Sequence, residues 1–250
     1  MEKKIEVTES RSGLRDRRSF LKLSGLALAG TGLILSGCSN DDEGNTVEND
    51  KMPGLVNGVF DFGGGDLGIL TYAYALEQLE ADFYTRAVNS NNFGSIYSSD
   101  EQSVLADLYY HEVIHREVLR QAIKTGVNNN TQQLLPDLQF NYSGLDFGNR
   151  AQVLATAMKL EDTGVAAYNG AGRYLANAAN LILAGKIVSV ESRHASVIRS
   201  LINPQEAFFS ANDVVEPTTG NNQAKSPSQV ITEVDDMGYI QTAFTANYLP

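Results

Sequence analysis

The chain has 250 residues, 42% of them hydrophobic and 20% charged, with 19 Lys and Arg against 30 Asp and Glu and a net charge of −11. That is enough chain for one good-sized core plus tails, and the acidity argues against nucleic acid as a partner. A single cysteine, Cys38, leaves the folded part without a thiolate ligand, a disulfide or a cysteine nucleophile, so any metal or redox chemistry must draw on oxygen and nitrogen donors.

Residues 1–37 read as a signal peptide. A basic opening with Lys3, Lys4, Arg11, Arg15, Arg17 and Arg18 runs into the weakly apolar stretch Phe20–Gly37, which is too short and too rich in glycine for a membrane span. Arg17-Arg18-Ser19-Phe20-Leu21-Lys22 resembles the twin-arginine export motif, the alternative being ordinary basic decoration of a Sec signal. Leu35-Ser36-Gly37-Cys38 resembles a lipobox, whose cysteine is lipidated and becomes the new N-terminus; a simple secretory signal is the alternative. The expectation is a protein of the cell envelope, held by lipidated Cys38 at the outer membrane, facing either the periplasm or the surface. Setting aside residues 1–37, with seven basic and four acidic side chains, leaves 12 Lys and Arg against 26 Asp and Glu, a net of −14. Residues 38–65 are expected to form a flexible tether, most clearly in the acidic run Ser39–Asn45.

Asp66 is a plausible N-cap for a first helix running to Asn89, and Ser99-Asp100-Glu101-Gln102 fits a capping box opening a second, closed by Gly126. Asn149 caps a third helix from Arg150 to Leu175, and a fourth spans Leu181–Ile202 before Pro204. The connection Val127–Gly148 is long and polar, whereas the other two are short. An all-α four-helix bundle over residues 66–202, with a long crossover between helices two and three, accounts for this. Residues 203–250 form a C-terminal extension with a short helix over 226–237.

Glu112 and His115 in the second helix, and Glu191 and His194 in the fourth, are each three residues apart, so each pair projects from one helix face. Both pairs interrupt apolar stripes: Leu105, Leu108, Glu112, His115, Leu119 and Ile187, Glu191, His194, Ile198, Leu201. Leu154, Met158, Glu161, Val165 and Tyr168 share a face of the third helix, and Leu70, Ala73, Glu77, Glu80 and Tyr84 a face of the first. All four helices thus aim carboxylates at a shared core. An ionised carboxylate buried alone costs several kcal/mol, so a common partner is needed, and divalent metal supplies one. Oxygen-rich donors with one imidazole per metal suit iron(II) or manganese(II). Glu77 and Glu161 each precede a tyrosine by seven residues, which suggests a pseudo-twofold site and favours Glu77 over Glu80 as the ligand of helix one. Glu80 reads as an acceptor behind the ligands or a helix-surface charge, and His111 as a surface group or one that supports a ligand. Gly164, Gly170 and Gly172 read as points of close helix approach.

The order Glu, Glu-x-x-His, Glu, Glu-x-x-His resembles the ferritin-like superfamily of rubrerythrins, bacterioferritins and manganese catalases. More narrowly, LEQLEADFY, LEDTGVAAYNGAG and VESRHASVIRSL resemble the exported ferritin-like domain family that includes plant desiccation-related proteins. The resemblance covers residues 66–202. It implies Glu77, Glu112, His115, Glu161, Glu191 and His194 as ligands of two iron or two manganese ions, with Glu112 or Glu161, and Glu191, as candidate bridges. Tyr84 and Tyr168 would hydrogen-bond to the ligands and could donate electrons. The expected function is redox chemistry with O2 or H2O2, or metal handling, in stress protection: peroxidase, catalase-like or ferroxidase if the protein is an enzyme. The alternative is a non-catalytic surface lipoprotein whose metal or polar network only holds the bundle together.

Overall fold

The computed structural model describes residues 51–204 and 213–250; the expected signal peptide, the arginine pair, lipidated Cys38 and the tether as far as residue 50 lie outside them. The stretch after residue 50 is not tether. Strands β1 (Gly54–Val56) and β2 (Val59–Asp61) form an antiparallel hairpin closed by Asn57-Gly58, both at positive φ as a two-residue type I′ turn requires. Strand β3 (Phe244–Thr245) adds to β2 in parallel, so the C-terminal segment pairs with the N-terminal hairpin. The carboxylate of Asp61 accepts hydrogen bonds from Gly63, Thr245 and Asn247, and the Phe62 and Phe244 rings stack at 4.6 Å. Period-two patterning cannot announce strands only two or three residues long.

Helix α1 (Gly65–Val88) is capped by the extended Gly64, so Asp66 is not the N-cap expected of it. It lies in the first turn, and its carboxylate accepts from the backbone N–H groups of Ala176 and Asn177 and from the amide of Asn180. Asp66 thereby latches α1 to the far end of the bundle sequence. A four-residue helix, α2 (Phe93–Ile96), lies in the link to α3 (Ser99–Gly126). The capping box of α3 falls one residue earlier than expected, on Ser98: its hydroxyl accepts from Glu101 N–H, and its own N–H donates to Glu101 at 2.8 Å. The same Glu101 receives Arg150, which opens α4 (Arg150–Ala171), so two helix starts share one carboxylate.

Asn149 caps α4 as expected, but the helix stops at Ala171 and gives way to a 3-10 turn at Gly172–Tyr174 instead of reaching Leu175. Helix α5 (Ala178–Ile202) begins three residues before Leu181, because the Asn177 side chain caps it through the N–H groups of Ala179 and Asn180. Helix α6 (Pro227–Met237) occupies the expected place, with a capping box on Ser226 and Gln229 and a left-handed Gly238 at its end. Among the described residues no helix is long and apolar enough to cross a membrane.

Helix α1 packs chiefly along α3, and α4 along α5; contacts of α1 with α4 and of α3 with α5 join the two pairs. The crossover 127–149 is tied down rather than loose. Leu135, Leu138 and Tyr142 are buried in it, and Gln78 of α1 spans it by donating to the Pro136 carbonyl and accepting from Leu138 N–H. Segment 223–225 crosses α4 at Gly170. Lys225 N–H donates to the Ala166 carbonyl, and a Cβ on Gly170 would meet the Lys225 oxygen at 1.7 Å. Gly170 therefore admits a crossing strand of chain, not a neighbouring helix. On α5, the buried Arg199 holds Asp162 of α4 and Asp213 of the C-terminal extension, fixing the extension to the second helix pair.

Candidate metal centre

The two Glu-x-x-His pairs sit where apolar side chains would otherwise fill the core. On α3, Glu112 and His115 lie between buried Leu108 and Leu119; on α5, Glu191 and His194 lie between buried Ile187 and Ile198. Opposite them, α1 contributes Glu77 and Glu80, and α4 contributes Glu161. Glu77, Glu112, Glu161 and Glu191 are each 0% exposed. All six expected ligands meet in one place.

The cluster has two centres. His115 Nδ1 lies 2.9 Å from Glu191 Oε1, 3.2 Å from Glu112 Oε2 and 3.4 Å from Glu77 Oε2. His194 Nδ1 lies 2.6 Å from Glu112 Oε1, 3.4 Å from Glu161 Oε2 and 4.0 Å from Glu191 Oε1. Donor atoms of Glu77, Glu112, His115 and Glu191 fall within 4.8 Å of one another, as do those of Glu112, Glu161, Glu191 and His194. Glu112 and Glu191 belong to both groups, and the two oxygens of Glu112 face different histidines. Of the six, only Glu112 and Glu191 are shared in this way.

The donors converge on common points more than on each other. Glu112 Oε1 and His194 Nδ1 are close, yet neither makes an aligned hydrogen bond; Glu77 Oε2, Glu161 Oε2 and both oxygens of Glu191 also lack one. Buried polar atoms left unpaired in this number cost several kcal/mol in a dry interior. A pair of divalent ions would satisfy them and balance the four glutamates. Hard oxygen donors with one imidazole in each group fit iron or manganese, so the residues present fit the metals the motif implies.

Hydrogen bonds behind the donors fix their orientation. Tyr84 on α1 donates to Glu161 on α4 at 2.6 Å, and Tyr168 on α4 donates to Glu77 on α1 at 2.5 Å. Burial, and the carboxylate each phenol faces, push both tyrosines far above their ordinary range, so they remain neutral donors. His111 sits outside the donor groups: its ring stacks on His194, and its Nδ1 hydrogen-bonds His194 Nε2 at 2.8 Å. With Nδ1 of His194 aimed at the cluster, Nε2 carries the proton and donates to His111, the kind of support that sets the tautomer of a metal-binding imidazole.

Without a cation, burial and the packed charges displace these groups from their ordinary titration ranges. Burial pushes Glu77 up to about 7, and raises Glu161. Burial together with the surrounding carboxylates carries Glu80 and Glu191 well above the usual range. Burial would also raise Glu112, but His115 and His194 outweigh it and hold that carboxyl at about 2. For the histidines burial acts downward, yet the glutamates win: Glu161 and Glu112 lift His194 to about 11, and Glu112, Glu191 and Glu77 lift His115 well above its ordinary value.

Glu80 is not a surface charge. It is 3% exposed and points into the same interior, beside Gly164, whose missing side chain leaves room for carboxylates and not for a helix. Gly172 has only the Leu181 side chain near its Cβ position, at 3.9 Å. The place of Glu80 one turn after Glu77, on the apolar stripe, was the signal in the sequence that could have brought it into the cluster.

The family model described as a ferritin-like domain matches residues 65–204, which hold the whole cluster. No curated protein matches the chain.

Proposed function

The chain belongs to the ferritin-like domain family, and from that premise we propose that it would hold a dinuclear iron or manganese centre, with Glu112 and Glu191 placed to serve both metal positions. The observation that carries this reading is the membership of both residues in two donor groups, with the oxygens of Glu112 divided between His115 and His194. Glu77 and His115 complete one group, and Glu161 and His194 the other. Bound iron or manganese would supply electrons to O2 or H2O2. The chain's own contribution is to hold the donors in a dry interior, to orient Glu77 and Glu161 through Tyr168 and Tyr84, and to fix His194 through His111. Redox chemistry in stress protection, or metal handling, is the function proposed for such a site.

The proposed location is the cell envelope. It rests on the basic opening, the Arg17-Arg18 pair and the Leu35–Cys38 sequence, with lipidated Cys38 as the membrane anchor. Retention of the protein in the membrane fraction, and its release by Cys38→Ser, tests this.

Elemental analysis of the protein purified from iron- or manganese-supplemented cells is the direct test of the centre. About two metal ions per chain are expected, lost in Glu112→Ala and Glu191→Ala variants that remain folded. Complete folding with no metal under any loading condition would overturn the proposal. Anaerobic Fe(II) loading followed by O2 or H2O2 then separates the functions: turnover supports a redox role, whereas metal that only raises the melting temperature supports a structural one.

A further inference from the structure

Tyr84 and Tyr168 hold equivalent places, each seven residues after a donor glutamate, yet their neighbours differ. Phe83 precedes Tyr84, whereas Ala167 precedes Tyr168. The Phe83 ring lies edge-on to Tyr84 at 5.1 Å and 6.3 Å from Tyr142 of the crossover. Tyr142 in turn lies 4.9 Å from Tyr239, which is half-buried just after α6. All three separations are those of aromatic pairs in contact. A continuous row of rings thus runs from the phenol that donates to Glu161 out to the C-terminal extension. Tyr168 has no such row. It lines a small apolar space with Leu76, Leu119 and Leu175, and among the described residues it makes no ring contact.

Packing alone does not ask for phenols along this row. The buried Tyr142 hydroxyl makes a long hydrogen bond, 3.4 Å to the Leu79 carbonyl, and a phenylalanine would avoid its desolvation. The Arg86 guanidinium lies 5.1 Å from the centre of the Tyr142 ring and pairs at 2.7 Å with Asp82, a carboxylate that bears on this phenol. Each inner phenol therefore has a carboxylate beside it to take a proton: Glu161 for Tyr84 and Asp82 for Tyr142. The outer part of the row is also held in place. Asn141 N–H donates to the Tyr239 carbonyl and Gln241 N–H to the Gln139 carbonyl, with Phe140 bridged to Ile240 between them.

We propose that Tyr239 and Tyr142, with Phe83 as the link, carry electrons to Tyr84 and the centre from small one-electron donors of the phenol class that never enter the bundle. The inference rests on the redox reading above and gives it a reductant and a side: one half of the centre is connected to the surface, and the other is not. H2O2 takes up two electrons and two protons to become two waters. Two donor molecules supply the electrons one at a time, each leaving as its phenoxyl radical and giving its proton to solvent. Tyr84 passes an electron to the oxidised centre and its phenolic proton to Glu161. An electron arriving from Tyr142 through Phe83 brings that proton back, Tyr239 restores Tyr142 in the same way, and the donor restores Tyr239.

The test loads the protein anaerobically with Fe(II) or Mn(II), adds H2O2 and a nitroso spin trap, and locates the trapped tyrosines by mass spectrometry, alongside turnover of 2-methoxyphenol. The trap should mark Tyr142 or Tyr239. Tyr110 is 61% exposed on α3 but lies off the row, and it should stay unmarked, as should Tyr168. Tyr142→Phe keeps the packing and removes the oxidisable hydroxyl, while Phe83→Leu opens the row and leaves Tyr84 its hydrogen bond. Both variants should bind two metal ions as the wild type does and lose the mark on Tyr239. Their kcat for 2-methoxyphenol should fall at least about tenfold with KM little changed. A mark confined to Tyr110 or Tyr168, consumption of H2O2 without oxidation of the donor, or wild-type donor turnover in both variants would overturn the route while leaving the centre intact. A wild type that binds no metal, or does not consume H2O2 once loaded, would instead remove the redox reading on which the route rests.

Discussion

Tyr84 and Tyr168 are exchanged across the bundle: each stands on the helix that bears one glutamate and donates its phenol hydrogen to the glutamate of the other, Tyr84 to Glu161 and Tyr168 to Glu77. The exchange ties α1 to α4 at two points either side of the cluster. It also holds one oxygen of each glutamate, so that the other is left for the interior.

Removing one phenol should therefore loosen one ligand without removing it. Tyr168→Phe and Tyr84→Phe are each expected to leave two metal ions bound and to weaken one of them by about 10–100-fold. Loss of a hydrogen bond to a buried carboxyl should also lower stability by about 1.5–3 kcal/mol. Anaerobic metal titration and chemical denaturation measure the two effects, and unchanged affinities in both variants would remove the orienting role.

The metal-free protein should be most stable in mild acid. Glu77 titrates at about 7 in the folded chain against 4.5 when unperturbed, so the stability from holding its proton is complete below pH 4.5 and is lost as pH rises through 7. Glu80, Glu161 and Glu191, also raised, act in the same sense. His194, lifted from 6.5 to about 11, contributes fully below pH 6.5 and loses its contribution as pH rises through 11. Glu112 acts oppositely, its stability present above pH 4.5 and lost as pH falls through 2. Melting temperatures of the metal-free protein should thus fall from about pH 5 to pH 8. The rise produced by Mn(II) should grow over that interval, because metal competes with protons for the same atoms; a metal-free melting temperature that climbs through the interval would contradict this.

Metal loading near neutral pH should expel protons. The glutamates around His115 and His194 lift both imidazoles well above their ordinary value, so net proton release is expected as metal takes the place of those protons. Calorimetry in two buffers of different ionisation enthalpy counts them. A value near zero would show that the donors are already deprotonated and that the charges are balanced in another way.

Two helical glycines should respond in opposite directions to alanine. At Gly170 the new methyl would collide with the Lys225 carbonyl and lift segment 223–225 from α4, costing about 1–3 kcal/mol. Gly185 on α5 has nothing within 4 Å of its Cβ position, and alanine there should stabilise by about 0.5–1 kcal/mol. Equal effects at the two positions would mean that the crossing segment does not rest on α4.

Four helices and six donors were legible in the sequence because each is written locally. Three-residue spacing on an apolar stripe places Glu112 with His115 and Glu191 with His194, and Asn149 and Ser226 announce helix starts by their own hydrogen bonds. What escaped depends on partners far away in the chain. Asp66 looks like a cap, but its acceptors are claimed by Ala176, Asn177 and Asn180, which only folding brings near. Strand β3 is two residues long and exists because β2 offers it an edge. For Glu80 the sequence left open an acceptor behind the ligands or a surface charge, and its neighbour Gly164, which decides against the surface, stands eighty-four positions later.

The hairpin and the last strand have one more implication. Lys51 accepts from Gly64 N–H through its carbonyl and carries its ammonium 5.7 Å from the centre of the Tyr248 ring, while Phe62 N–H donates to Thr245. Residue 51 and the C-terminal segment thus share one corner of the structure. A short linker from Pro250 to Lys51 could close residues 51–250 into a ring, and the ring could be cut anew in an exposed turn such as that near Ser143 without parting any of the metal donors from its helix.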